Sequence, residues 1–222
     1  MATVADIANR LKARARRRYP AAKHLPALLL FSDERRLPDP AAALDRLPRG
    51  SGVVLRHYGM SVPARTALAR TLADKGRARG IDVLIANDAR LAANIRAAGL
   101  HLPEAKLASI FSFGPIRQRK SSIVTISVHS LRAVFMAAKR GADAAVLGPV
   151  FPTASHPGAT HLGSLRFARF CRLSPIPVYA IGGIGPRTAL ELKDSGAVGI
   201  AGIGAIGLPK HRGTRGMARS RR

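Results

Sequence analysis

A chain of 222 residues, 47% hydrophobic and 22% charged, carries enough apolar material to bury a core, which excludes general disorder. A single cysteine, Cys171, excludes a disulfide scaffold and suits a reducing compartment. The 37 Lys and Arg outweigh 12 Asp and Glu for a formal net charge of +25, a field that draws phosphate-bearing ligands, nucleic acid and anionic lipid alike.

In chain order, Val4, Ile7 and Leu11 are spaced for one face of a helix, and Arg14, Arg16, Arg17 and Arg18 follow. Residues 1–26 read as a basic N-terminal helix running into the first strand rather than as a transit peptide. Short apolar, β-branched runs then predict strands over 27–32, 52–57, 82–86, 99–102, 123–128, 144–149, 178–182 and 199–203. Between them, helical periodicity predicts helices over 62–79, 89–98, 131–140, 164–173 and 187–195. Gly80, Gly99, Gly141 and Gly196 stand where left-handed helix stops are needed. The stretch from Ser109 to Ser122, broken by Phe111, Phe113, Gly114 and Pro115, supports no long helix. From Gly207 the chain turns Gly-, Pro- and Arg-rich, and 207–222 is expected to be a mobile basic tail. No secretory segment and no apolar run of membrane-spanning length occurs, so a cytoplasmic, non-membrane protein is expected.

Strands alternating with helices imply βαβ crossovers and a parallel sheet. Eight of them fit a single α/β TIM barrel, (β/α)8, over 27–206, with an N-terminal helix and a short or missing last helix. An open doubly wound sheet is the alternative. The N-terminal helix would cover apolar surface that the missing one leaves.

In such a barrel, ligands bind at the C-terminal strand ends, and the last two loops commonly hold phosphate. Glycines cluster at both places: Gly182, Gly183 and Gly185, then Gly202, Gly204 and Gly207. Their backbones can approach an anion closely, though glycine also serves tight turns. Other strand ends carry Arg56 and His57, Asn87 and Asp88, Ser127, His129 and Ser130, and Thr153, Ser155 and His156. Singly, each reads as a cap or turn residue; Asp88 is placed to cap the helix that starts at Ala89. Their coincidence on one rim points to a site.

The pieces Ser127-Val128-His129-Ser130, Gly148-Pro149-Val150-Phe151-Pro152-Thr153 and Ala180-Ile181-Gly182-Gly183-Ile184, with Leu55-Arg56 and Asn87-Asp88 upstream, resemble the thiamine phosphate synthase family, which includes thiazole tautomerases. The resemblance implies a transferase joining hydroxymethylpyrimidine pyrophosphate to thiazole phosphate, with magnesium, so the partners are small phosphorylated heterocycles. It also implies roles. Arg56 and Asn87 would hold pyrophosphate, Asp88 the magnesium, and Ser127 would face the leaving group. The backbones of Gly183, Ile203 and Gly204 would hold the thiazole phosphate, with Thr153 and Ser155 nearby.

The chain also departs from that pattern. Val54, His57 and Tyr58 replace the residues that the synthases carry around the strand-two arginine, and His156 replaces a lysine. Lys106 falls where a second magnesium carboxylate is expected, with Glu104 close by in sequence. A histidine at the His129 position would shuttle protons in the tautomerase branch, which needs no metal. A catalytically silent phosphate binder is a further alternative. So is a basic nucleic-acid-associating protein, although no interleaved aromatics, helix-turn-helix or zinc pattern supports more than non-specific binding. An oligomer is compatible with all of these.

Overall fold

The structure is a computed structural model that describes residues 2–109, 122–153, 158 and 160–203. Eight strands form it: β1 Leu28–Phe31, β2 Gly52–Leu55, β3 Asp82–Ala86, β4 Gly99–Leu102, β5 Ile123–Val128, β6 Ala144–Leu147, β7 Val178–Ala180 and β8 Gly199–Ile203. They pair in parallel in sequence order, and β1 pairs with β8 to close the barrel. The helices are α1 Val4–Ala15, α2 Pro40–Leu44, α3 Val62–Arg79, α4 Ala89–Asn94, α5 Lys106–Ser109, α6 Leu131–Lys139, α7 Gly163–Leu173 and α8 Pro186–Leu190. No described helix is long and apolar enough to cross a membrane.

Period-two alternation divides the core in two. Leu29, Phe31, Val54, Leu84, Val146, Tyr179 and Ala201 belong to one buried cluster. Leu28, Leu30, Val53, Leu55, Ile85 and Leu147 belong to another, shared with helix residues such as Leu72, Val134 and Phe167. Each such fully buried aliphatic side chain contributes roughly 1.5–3 kcal/mol, so the strands are held mainly by this two-sided burial.

Helix α1 begins in a capping box, Thr3 with Asp6. Its buried face, Val4, Ile7, Ala8 and Leu11, packs against β8, β1 and α8. The Arg14 guanidinium donates to the Lys193 carbonyl and pairs with Asp194, and Arg18 donates to the Ser174 carbonyl at 2.8 Å. The N-terminal helix therefore covers the β8–β1 seam, as its apolar spacing anticipates. The expected tail over 207–222 lies outside the described residues.

Some boundaries differ from the sequence reading. Strands β2, β6 and β7 end two residues earlier than expected, and α4 and α8 stop at Asn94 and Leu190. Gly80, Gly141 and Gly196 take the left-handed conformation, but Gly99 does not; Arg96 does (φ 53). Gly99 instead opens β4, where a side chain would strike the Ile123 carbonyl. Helices α2 and α5, a single turn or little more, carry too few residues to show a periodicity.

Candidate active site

A cavity of about 610 Å³ opens at the C-terminal ends of the strands. It is bordered by Arg56, Ser127, His129, Thr153, Gly182 and Ile203 of the expected residues. Phe31, His101, His161 and Arg166 border it too, and the sequence reading did not select them as site residues. Its described lining includes the guanidiniums of Arg56 and Arg166 and no carboxylate. Such a wall favours an anionic ligand, because low-dielectric surroundings strengthen the attraction of a fixed positive charge.

Arg56 follows β2 directly and is built into the barrel mouth. Its Nε donates to the Ser32 carbonyl (2.8 Å), its Nη2 to Asp33 (2.9 Å), and its backbone N–H to Ser32 Oγ (2.9 Å). The guanidinium also stands 5.9 Å from the Phe31 ring centroid. Two of its three nitrogens are thus fixed, and among the described residues Nη1 remains for a ligand. Ser32 Oγ, which accepts from the Arg56 N–H, also lies 2.9 Å from Nδ1 of the buried His57. His57 Nε2 has no partner among the described residues.

Inside the mouth, His101 on β4 lies 2.9 Å from Thr125 Oγ1 through Nδ1 and 2.9 Å from Ser127 Oγ through Nε2. It meets Phe31 edge-on, with ring centroids 4.8 Å apart. Complete burial, helped by the Arg56 charge, lowers its pKa to about 3. His101 is therefore neutral near pH 7, donating through one ring nitrogen and accepting through the other. Either tautomer fixes the Ser127 hydroxyl at the cavity wall. The signal for this chain was present in the sequence: His101, Thr125 and Ser127 are polar residues in runs that otherwise read as buried strands.

Asp33, Asp88 and Glu104 on the rim are engaged by other protein groups. Asp33 accepts from the backbone N–H groups of Arg35 (3.1 Å) and Arg36 (3.0 Å) as well as from Arg56. Partial burial opposes its ionisation, but these donors and the Arg56 charge outweigh it and lower its pKa. Asp88 caps α4 by accepting from Leu91 N–H (2.9 Å) and pairs with Arg65 (3.1 Å). Glu104 Oε2 lies 2.6 Å from His129 Nδ1.

Magnesium needs several oxygen ligands in near-octahedral order and keeps its waters reluctantly displaced. Both Asp88 oxygens are already accepting. Among the described residues no group of three or more His, Cys, Asp or Glu side chains is placed to hold a metal ion. Lys106 is exposed at the start of α5 and does not border the cavity. The residues present do not fit a resident magnesium ion.

Across the mouth, the turn after β7 rests on the segment after β6. Val150 N–H donates to the Ile181 carbonyl (2.9 Å) and Phe151 N–H to the Gly182 carbonyl (3.1 Å). Gly182 and Gly183 are left-handed (φ 98 and 66), and a Cβ on Gly183 would collide with the Pro152 carbonyl. Close packing therefore requires these glycines whether or not phosphate binds. Gly182 reaches the cavity, whereas Gly183, Asn87 and Asp88 are not among its lining residues. Asn87, left-handed at φ 55, donates its N–H to the His101 carbonyl (2.8 Å) and ends β3. Ser155, His156 and Gly204 lie outside the described residues.

A profile of the thiamine monophosphate synthase family matches residues 32–206. The chain is 32% identical over 182 residues to the thiamine-phosphate synthase of Anoxybacillus flavithermus, covering 78% of this chain and 82% of that one. It is 40% identical over 116 residues to the putative thiamine-phosphate synthase 2 of Aquifex aeolicus, covering 51% of this chain and 59% of that relative's length. Among solved structures, thiamine phosphate pyrophosphorylase from Pyrococcus furiosus superposes with a TM-score of 0.69 at 25% identity, covering 86% of this chain and 91% of the other. With a family profile matching residues 32–206, a relative 32% identical over most of both chains and the same barrel in a solved structure, the chain belongs to the thiamine monophosphate synthase family.

Proposed function

We propose that the chain acts in thiamine biosynthesis as a synthase, joining hydroxymethylpyrimidine pyrophosphate to thiazole phosphate and releasing pyrophosphate. The observation that carries this reading is the cavity wall, which among the described residues bears Arg56 and Arg166 and no carboxylate, in a chain whose relatives are named for that activity. In the reaction, the bond from the pyrimidine methylene carbon to oxygen breaks and its electron pair leaves with pyrophosphate. The thiazole nitrogen then supplies the pair for the new C–N bond. Arg56, which lines the cavity and whose Nη1 has no partner among the described residues, takes the growing negative charge on the leaving group, where a preorganised cation stabilises the transition state. Ser127, when it accepts from the Nε2–H of His101, keeps its own hydrogen to donate to a pyrophosphate oxygen. The Gly182 and Ile203 backbones and Thr153 face the thiazole phosphate. A cytoplasmic setting suits the lone Cys171, which is buried.

Incubating the purified protein with both substrates tests this. Thiamine phosphate and pyrophosphate are expected in equal amounts, and Arg56→Ala should lose most of the rate. Absence of product at substrate concentrations that saturate binding would remove the synthase reading.

One observation favours a second reading. Glu104 holds His129 Nδ1, which turns Nε2 into the free base of an oriented pair at the cavity edge, the arrangement a thiazole tautomerase needs. Aromatisation of a thiazole carboxylate phosphate that disappears in His129→Ala would select it.

A further inference from the structure

We propose that the Arg65 guanidinium is a built-in cation seated where a metal-dependent relative would need an ion, so that this chain binds its phosphorylated ligand without a divalent metal. The proposal rests on the phosphate-ligand reading above but concerns a residue outside the cavity lining. Three oxygens from the ends of neighbouring strands converge on this one side chain. The Arg65 Nη1 donates to Asp88 Oδ2 at 3.1 Å, Nη2 to the Ala86 carbonyl at 2.8 Å, and Nε to the Arg56 carbonyl at 3.1 Å. One carboxylate and two main-chain carbonyls are a hard-oxygen set suited to a divalent cation. Here a guanidinium fills it, and its side chain is only 11% exposed.

The placement follows from the local fold. Arg65 lies in the first turn of α3, where Ser61 caps the helix and accepts the Arg65 backbone N–H (2.9 Å). The side chain therefore reaches back across the ends of β2 and β3. A guanidinium stays charged at every physiological pH and spreads its donors over a planar fork, so one side chain satisfies acceptors on three sides. A hydrated magnesium ion would have to displace it and shed water as well. Asp33 and Glu104 on the rim also face protein groups. The positive charge at this mouth is covalently tethered.

Two titrations of the full-length protein test the inference. The first measures inorganic pyrophosphate binding by calorimetry, in EDTA and in excess magnesium. Equal or weaker affinity with magnesium supports the proposal, and a gain of about tenfold or more overturns it. The second follows Mn2+ by electron paramagnetic resonance with no ligand present. The wild type is expected to leave Mn2+ free, whereas Arg65→Met, which keeps the apolar stem and uncovers the three oxygens, is expected to bind it. Mn2+ bound by the wild type, or bound no better by a folded Arg65→Met, overturns the proposal. Arg65→Gln serves if Arg65→Met does not fold. Should pyrophosphate fail to bind under either condition, the phosphate-ligand reading fails, while the Mn2+ titration still decides the role of Arg65.

Discussion

The two sides of the barrel mouth are held by different forces. From β6 to β8, glycine backbones lie against backbone: Gly182 and Gly183 sit on the 149–152 segment, and a side chain on Gly148 would strike the Ile181 carbonyl. From β1 to β5, the rim is a chain of polar pairs, the ion pairs of Arg56 with Asp33 and Arg65 with Asp88 and the hydrogen-bonded pair of His129 with Glu104. A steric solution of the first kind tolerates little substitution, since a missing Cβ has no substitute. An electrostatic solution can exchange partners while its geometry stays, and Val54, His57, Tyr58 and Lys106, which the sequence reading set apart from the family's pattern, follow that side of the chain.

Substitution should expose this contrast. The largest effect is expected for Gly183→Val, which puts a branched side chain at positive φ and against the Pro152 carbonyl. A loss of about 3 kcal/mol or more in urea unfolding is expected, and a neutral result would break the steric half of the comparison.

Acid should act next, through the other half. His101 titrates near 6.5 when unfolded and at about 3 when folded. Between those values the unfolded chain binds the extra proton, so stability is full above pH 6.5 and falls as the pH drops toward 3. A decline of a few kcal/mol between pH 7 and 4 is expected, with a flatter profile for His101→Gln. The lowered carboxyl of Asp33 loses its own contribution below the ordinary carboxylate value of 3.8, whereas the Asp82 carboxyl, raised by burial, acts above it with the opposite sign, so the difference between wild type and His101→Gln isolates the imidazole.

Arg56→Ala should weaken pyrophosphate binding by about 10- to 100-fold, the worth of a charge-assisted hydrogen bond, and calorimetry reads this directly. Ser130→Ala should change least. Ser130 Oγ accepts from Ala133 N–H at 3.1 Å as the cap of α6, so about 1 kcal/mol of stability is at stake and turnover should persist. Loss of turnover with stability intact would move Ser130 from cap to catalyst.

Much of the frame was legible from residue order. Short apolar runs located all eight strands, because burial on both faces demands continuous apolar stretches. Asp88 was readable as a cap from its position before Ala89, and α3 was readable end to end from Val62 to Gly80. Arg65 was not readable. It lies within a helix already rich in arginine, and nothing in its spacing tells a solvated side chain from one folded back over two strand ends. The pairing of Glu104 with His129 spans 25 positions and leaves no local trace. The magnesium role that the resemblance set on Asp88 assumed that a carboxylate at a strand end is free for metal, which partners supplied by other elements decide.

Residue order by itself determined the barrel, the rim on which polar groups gather and the glycines on which its turns depend, since periodicity, chain reversal and steric exclusion act over a few neighbouring residues. Tertiary structure alone decided which charges neutralise one another, that His101 is buried neutral behind Ser127, and that a guanidinium fills the oxygen cage between β2 and β3. The reason is that electrostatics and desolvation depend on distance in space, and closure of the barrel brings together groups that the chain keeps far apart.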